Sequence, residues 1–583
     1  MKKVVIGILA IVGALALGSV MFAGCIGVLT MLGGKSLPSQ MVLEIDFEQG
    51  VIESVPDDFA ASLMLDGVPE LRDLVDAIDK GAEDRRVKGL VARIGGGGMG
   101  LAHLQELRDA VIRFRESGKP AYAYAETFGE FGPGNGGYYL ATAFEKIFLQ
   151  PSGDIGLTGL MYESMFVRGL LDKLDVIPRL GQRYEYKNAM NYYTDQEYTE
   201  AYREAMQELM ESQFGQIVRG IAEARGLSDE ETLELFDNGP YLGSAALDEG
   251  LVDEMAYRDE VYAYLAEQVG DDAEMVHPVD YIEQAGRPHV KGTGVALIQA
   301  YGAVVRGDSS YSPVNGSVQM GSDTISSAFR AAIDDDRIEA IIFRVDSPGG
   351  SYVASDTIRR ETIRAREANK PVIVSMGNLA GSGGYFVAMD ADRIVAEPGT
   401  ITASIGVLGG KLLTRGFWKK FGITWDEVQT SEFSNMWSPR FDYDEGSRAR
   451  FEAGLDRVYE DFTGKVAEGR GMPLDEVLEL AKGRIWTGEQ ALELGLVDAL
   501  GGMETAMLQT REVLGLEGDA AIRLKRFPTP KTPWEMLFSM TGTRQSLMVR
   551  TLAAFQPTMR TLQQLGWMDD SGVLTMPEPN TMP

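Results

Sequence analysis

Arg86-Val87-Lys88-Gly89-Leu90-Val91-Ala92-Arg93-Ile94, followed by glycines, returns 251 residues later as Arg337-Ile338-Glu339-Ala340-Ile341-Ile342-Phe343-Arg344-Val345, followed by Asp-Ser-Pro-Gly-Gly. Lys119-Pro120 and Lys370-Pro371 keep that offset. Gly137-Tyr138-Tyr139-Leu140-Ala141 matches Gly384-Tyr385-Phe386-Val387-Ala388 at 247, as Pro151 matches Pro398, and Gly250-Leu251-Val252-Asp253 matches Gly495-Leu496-Val497-Asp498 at 245. Landmarks that hold register this closely over about 160 positions mark a duplicated domain. The duplication is a severe constraint, because any architecture assigned to one copy must also suit the other.

Within the second copy, Ala340–Val345 and Val372–Ser375 are apolar, β-branched and bounded by Gly or Pro, the pattern of buried strands. Between them Ser355–Asn369 has helical spacing and stops at Lys370-Pro371, and Ser447–Glu468 reads as a further helix. Strand, helix and strand joined by Gly-rich turns predict an α/β fold with a largely parallel sheet. The expected plan is an anchor at 1–35, a first copy at 36–275, a linker at 276–292, a second copy at 293–520 and a Pro/Met-rich tail at 521–583. Within that tail, Trp534–Met540 is an apolar stretch expected to pack on the body.

The anchor is read from charge. No charged residue occurs from Val4 to Gly34. A membrane helix needs about 20 apolar residues, whereas the apolar part of a cleaved signal is about 7–15. The segment therefore reads as an uncleaved signal anchor, with Lys2 and Lys3 holding the amino end in the cytoplasm and the body outside. Two rivals are a conventionally cleaved peptide and a lipoprotein signal, for which Phe22-Ala23-Gly24-Cys25 approximates the attachment site. The apolar run continues past Cys25 through Leu32, against the lipoprotein reading.

Composition limits the chemistry. A net charge of −31 argues against a nucleic-acid partner, which needs a basic face. Cys25 is the single cysteine, so no intrachain disulfide or Cys-cluster metal site exists. The three histidines, His103, His277 and His289, leave little choice of imidazole base, and nothing calls for a metal or organic cofactor.

Three Gly-rich segments of the second copy invite a chemical reading. Asp346-Ser347-Pro348-Gly349-Gly350 ends a strand, where glycines let backbone N–H groups face an oxyanion. Gly381-Ser382-Gly383-Gly384-Tyr385-Phe386 opens a helix, where small residues also serve close packing. Pro398-Gly399-Thr400-Ile401-Thr402-Ala403-Ser404-Ile405-Gly406-Val407 places Ser404 among small and apolar residues, near the expected start of another helix. Each alone also reads as a turn.

Together, in this order and spacing, the three segments resemble the signal peptide peptidase A family of the Clp protease/crotonase-like superfamily, in its duplicated form. The resemblance covers residues 1 to about 520 and implies two tandem Clp protease/crotonase-like domains behind an N-terminal transmembrane helix. It implies a serine endopeptidase in which lysine replaces histidine as general base, with Ser404 as nucleophile. The family's Tyr-Lys-Ser-Ala element corresponds to Tyr186-Lys187-Asn188-Ala189, which implies Lys187 as base, with a departure at Asn188. Rival lysines are Lys411, Lys419 and Lys420. The resemblance also implies apolar substrates such as signal-peptide remnants, a homotetramer, and a body on the periplasmic side of the bacterial inner membrane.

The repeat bears on this independently. At the 247 offset Ser404 falls on Leu157, while the region matching Lys187 in the second copy, Val428–Glu432, has no lysine. Each copy carries half of a Ser–Lys dyad, which implies one composite site per chain. Gly349, Gly350 and Ile405 are the expected oxyanion and substrate-binding positions, and Thr430 or Ser431, with Ser431 favoured, the expected partner that orients Lys187. Competing readings are a crotonase-like acyl-CoA enzyme, which would need no anchor and no such pairing, and a catalytically silent membrane scaffold.

Overall fold

The structure is a computed structural model that describes residues 37–529, save 66, 96 and 97. The expected anchor and the tail beyond residue 529, including Trp534–Met540, lie outside the described residues. Among the described residues no helix is long and apolar enough to cross a membrane.

Each copy forms a sheet dominated by parallel pairing. In the first, the strand order is Glu254–Met255, Lys146–Leu149, Ala121–Ala125, Val87–Arg93, Met41–Asp46, Glu274–Val276. In the second it is Ile485–Thr487, Ile401–Ala403, Val372–Gly381, Ala340–Ser347, Thr293–Tyr301, Ile522–Phe527, with Arg393–Ala396 also on Val372–Gly381. The apolar runs are buried on both faces: Leu90 and Ala92 enter one cluster and Val91 another. Ile341 and Phe343 are likewise separated from Ile342. Burial on both sides explains why these strands read as continuous apolar runs without alternation.

The helices repeat with the strands. Leu71–Glu83 matches Ser322–Asp334, Leu101–Glu116 matches Tyr352–Glu367, and Glu200–Arg225 matches Glu445–Arg470, each pair equal in length. The sequence landmarks prove to be structural bonds. Tyr138 and Tyr385 donate their hydroxyls to the carbonyls of Leu251 and Leu496, at 2.7 and 2.9 Å. Asp253 and Asp498 accept the strand-opening N–H of Ile147 and Ile394, at 2.8 and 2.7 Å. Lys119 donates to the carbonyls of Gly81 and Asp84 at a helix C-terminus, and Lys370 does the same for Ala332, Ile333 and Asp335.

The segment expected as a linker holds the helix Pro278–Ala285, which belongs with the first copy. Tyr281 donates to Asp84 at 3.0 Å, and Arg287 pairs with Asp73 and Asp76. The second sheet runs past residue 520, because Ile522–Phe527 pairs with Thr293–Tyr301.

The helix expected to begin beyond Ser404 is absent. Val407–Leu413 is instead a strand, antiparallel to Ile177–Arg183 of the first copy, with Val407 opposite Arg183 and Leu413 opposite Ile177. Gly409 and Gly410 are poor helix formers, and a side chain on Gly410 would meet the Arg179 carbonyl at 2.2 Å. This ribbon joins the copies. Helix Glu445–Arg470 packs across it, and its flanks carry ion pairs of Arg179 with Asp442 and of Arg183 with Glu452, at 2.7 and 3.0 Å.

Gly181 faces that helix, where an added Cβ would lie 2.9 Å from both Leu455 and Phe451. Gly181→Val is expected to lower stability by about 1–3 kcal/mol through overpacking. Gly454, on the same helix with open space around it, should tolerate Ala with a gain of about 0.5–1 kcal/mol. Denaturant unfolding of the two variants checks both signs.

Candidate active site

The ribbon delivers Lys187 to the second copy. Chain leaving the strand Ile177–Arg183 turns under the loop Lys482-Gly483-Arg484, where the Lys482 carbonyl accepts the N–H groups of Tyr184 and Tyr186, both at 3.2 Å. Gly483, at φ +85°, lies so close that a Cβ there would be 2.5 Å from the Lys187 backbone nitrogen. Lys187 is only 2% exposed.

Its Nζ reaches three oxygens: Ser404 Oγ at 2.9 Å, the Ser404 carbonyl at 2.8 Å and Ser382 Oγ at 3.0 Å. Both serines are buried. Burial without a carboxylate partner pushes the Lys187 amine down to about 7, because the ammonium is the form that loses hydration. A substantial fraction of this lysine is therefore neutral near pH 7.

The two serines sit on different backbone devices. Ser404 follows the strand Ile401–Ala403 in a turn where Ala403 and Ser404 both have positive φ, +64° and +53°. That turn aims the Ser404 hydroxyl and carbonyl at the same amine, and its N–H donates to the Arg484 carbonyl at 2.9 Å. Ser382 ends the long strand Val372–Gly381 and precedes the short helix Gly383–Phe386, with φ +54° and ψ −115°. Non-glycine residues at such angles cost about 1–3 kcal/mol and gather at functional sites.

Glycines bring the Ser347–Gly350 loop against Ser382. A Cβ on Gly349 would stand 2.5 Å from Gly383 N and 2.8 Å from Ser382 Cβ, and one on Gly383 would stand 2.9 Å from Gly350 N. The Gly349 N–H donates to Ser347 Oγ at 3.1 Å. Ile405 is buried beside Ser404, and its carbonyl accepts the Gly483 N–H at 2.8 Å.

Ser431 does not reach the amine. It lies in an exposed segment whose hydroxyl pairs with Ser434 at 2.9 Å, so a buried lysine is beyond it. The second hydroxyl at the amine is that of Ser382, in a segment that the sequence marks as a chemical candidate without giving this serine a role. Lys411 donates to the carbonyls of Met436 and Phe441, and Lys420 to that of Lys173, away from both serines. At the 247 offset Asn135 stands where Ser382 does, its amide tied to Gly159 O at 2.7 Å and Thr158 N at 3.0 Å. The first copy thus fills both serine positions, with Asn135 and Leu157.

His103 is buried between the copies, 3.0 Å from Glu53, while Arg344 pairs with Glu53 and Glu106. Burial opposes its charge, yet hydrogen bonds to Asp346 and Glu53 hold its pKa at about 9. It is a structural cation, not a neutral base.

A buried amine with a low pKa, shared by two serine hydroxyls, can take a hydroxyl proton without any imidazole, and hydrolases of the serine type work through that transfer. Comparison with known proteins narrows the class. The sequence profile of peptidase family S49 matches residues 113–271, which include Lys187, and 364–517, which include Ser382 and Ser404. Protease 4 of Salmonella typhi is 31% identical over 502 residues, spanning 84% of this chain and 78% of its own. Protease 4 of Haemophilus influenzae is 30% identical over 77% of this chain and 74% of its own. The chloroplastic serine protease SPPA of Arabidopsis thaliana is 30% identical over 81% and 70%. The chain belongs to peptidase family S49, the signal peptide peptidase A family, and is a serine-type peptidase.

The low pKa of Lys187 has a stability consequence. An unfolded lysine titrates near 10.4, so between about pH 7 and 10 the unfolded chain binds a proton that the folded chain does not. Raising pH through that window favours the folded state by at most about 1.4 kcal/mol per unit; below it the term is flat. Lys187→Met removes the term. Wild-type stability relative to this variant should therefore climb with pH in urea titrations from neutral to alkaline conditions.

Proposed function

We propose that this chain is a membrane-anchored endopeptidase that cleaves apolar peptides, signal-peptide remnants among them, with Lys187 as general base and Ser382 as nucleophile. The observation that carries the reading is the Lys187 amine, buried and 3.0 Å from Ser382 Oγ. The sequence reading gave the nucleophile's role to Ser404, and the geometry favours an exchange of parts.

Donor counting supports that exchange. A neutral amine has two N–H groups and one lone pair. The Ser404 carbonyl can only accept, so it takes one N–H, and the Ser404 hydroxyl can accept the other. The lone pair is then left for the Ser382 O–H, the arrangement that removes a proton. Backbone shape agrees, because strand, strained turn and short helix at Ser382 form the sharp elbow that presents a nucleophile.

The reaction follows in order. Ser382 Oγ attacks the peptide carbonyl as Lys187 takes its proton. The oxyanion sits beside the amides of Gly350 and Gly383; Gly349 N–H is engaged with Ser347 and Ile405 belongs to the turn of Ser404. Lys187 returns the proton to the leaving amine, and water releases the acyl group by the reverse transfers. Ser404 holds the amine throughout. The charge-free run from Val4 to Gly34 supports a single-pass anchor with the body outside the cytoplasm, and the family resemblance supports a homotetramer in the inner membrane.

Ser382→Ala should abolish labelling by a fluorophosphonate probe and lower peptidase activity by at least about 10³-fold. Ser404→Ala should keep the labelled serine but slow turnover by roughly 10–100-fold through a misplaced amine. Label found on the peptide carrying Ser404 would reverse the assignment. In wild type, kcat/KM should rise as pH passes through about 7 and level above it, since the neutral amine is the active form. Deleting residues 1–35 should move activity from the membrane fraction to the soluble one.

A further inference from the structure

We propose that Arg484 is a positioning residue for the reaction, clamping the loop Lys482-Gly483-Arg484 over Lys187; the inference rests on Lys187 being the base. The loop touches both halves of the site. The Lys482 carbonyl holds the N–H groups of Tyr184 and Tyr186, Gly483 donates to Ile405 O, and the Arg484 carbonyl accepts the Ser404 N–H. Three successive residues thus tie the segment that carries the base to the turn that carries Ser404.

This loop does not hold its shape unaided. Lys482 and Gly483 both have positive φ, +52° and +85°, a conformation that a lysine adopts at a cost. The Arg484 side chain supplies the restraint. Its Nη1 donates to Glu204 Oε1 at 3.1 Å and its Nη2 pairs with Glu208, one turn further along the first-copy helix Glu200–Arg225. The guanidinium lies 4.6 Å from the ring centre of Tyr186 and 4.7 Å from that of Trp486. Tyr186, the residue before the base, donates its hydroxyl to Glu204 at 3.1 Å. Arginine suits this position because its planar fork binds carboxylates and stacks on rings at once.

The duplication supplies a control. The matching loop in the first copy reads Asn238-Gly239-Pro240, with no cation, and that copy has no serine pair to serve. The charged and titratable groups on the elements packed about the base are Tyr184, Glu185 and Tyr186 on its own segment, Lys482 and Arg484 on the loop, and Glu204 and Glu208 on the first-copy helix. On the helix Glu445–Arg470 they are Asp456, paired with Arg183, and Tyr459, whose hydroxyl accepts the Lys482 N–H at 3.3 Å and whose ring meets that of Tyr184. Lys482 Nζ is engaged with Glu479 at 2.8 Å. Loss of the clamp would admit water to the Lys187 amine and loosen its distance to Ser382.

The test uses the full chain in detergent, with Arg484→Ala, Arg484→Lys, the double variant Glu204→Gln/Glu208→Gln, and Lys187→Ala in parallel. For Arg484→Ala, kcat on an apolar peptide at neutral pH should fall roughly 10–100-fold, with KM changed much less. The rising limb of its pH profile should move to higher pH by about one unit as the amine regains hydration. Arg484→Lys should recover part of both effects. The double variant should shift the limb in the same direction with Arg484 intact, which keeps the test alive if Arg484→Ala fails to fold. A wild-type limb in both the double variant and any folded Arg484→Ala, with only Tm lowered, overturns the proposal. Full activity in Lys187→Ala overturns the underlying reading instead, so the two failures are distinct.

Discussion

The site depends on an antiparallel ribbon with one strand from each copy. Ile177–Arg183 and Val407–Leu413 pair residue by residue, with Lys187 four residues beyond the end of one strand and Ser404 three residues before the start of the other, so the ribbon's register sets where the two segments meet. A one-residue slip would turn every side chain of a strand to the other face. Gly181 admits Phe451 and Leu455 against the ribbon, and Gly410 admits the Arg179 backbone, so the pairing is specified by shape as well as hydrogen bonds. The two sheets give the protein its mass, but the ribbon makes their separate contents into one site.

Around that ribbon the energetics are those of a buried lysine. Removing an ammonium from water is costly, and no carboxylate repays the cost at Lys187. Folding therefore favours the neutral form. Two strained residues, Ser382 and Ser404, lie within reach of one nitrogen, and a third, Ala403, joins them by accepting the Ser382 N–H; the surrounding strands and Gly483 over-determine all three. A fixed set of oxygens around a neutral amine needs little rearrangement when a proton arrives, which is what preorganisation means in this setting.

Much of the architecture was legible in the sequence because the repeated landmarks carry bonds. Lys119 and Lys370 close helix ends, Tyr138 and Tyr385 bond the Gly-Leu-Val-Asp turns, and Asp253 and Asp498 open strands. Lys187 was legible through its neighbours Tyr186 and Ala189. The nearness of Ser382 to that lysine was not, because glycines on either side suit tight packing as well as an elbow, and positive φ leaves no mark on a serine. Only Asn135 at the equivalent position hinted that something distinctive stands there. Ser431 misled because alignment by repeat ignores that Val428–Glu432 lies in an exposed segment. The ribbon escaped notice because its strands are more than 200 residues apart and rich in glycine, so neither announces a partner.

The composite site also bears on dilution. If base and serines lay on separate chains, the active fraction would fall as chains drifted apart, and turnover would follow association. Here a continuous backbone joins Lys187 to Ser382, so the two meet at an effective concentration set by the fold and not by abundance. Asn135 and Leu157 add the other half of the bargain: with the reciprocal serine positions filled, the copies cannot form a second, mirror-related centre within the chain. On the proposed reading, one molecule carries one cutting centre whatever its abundance.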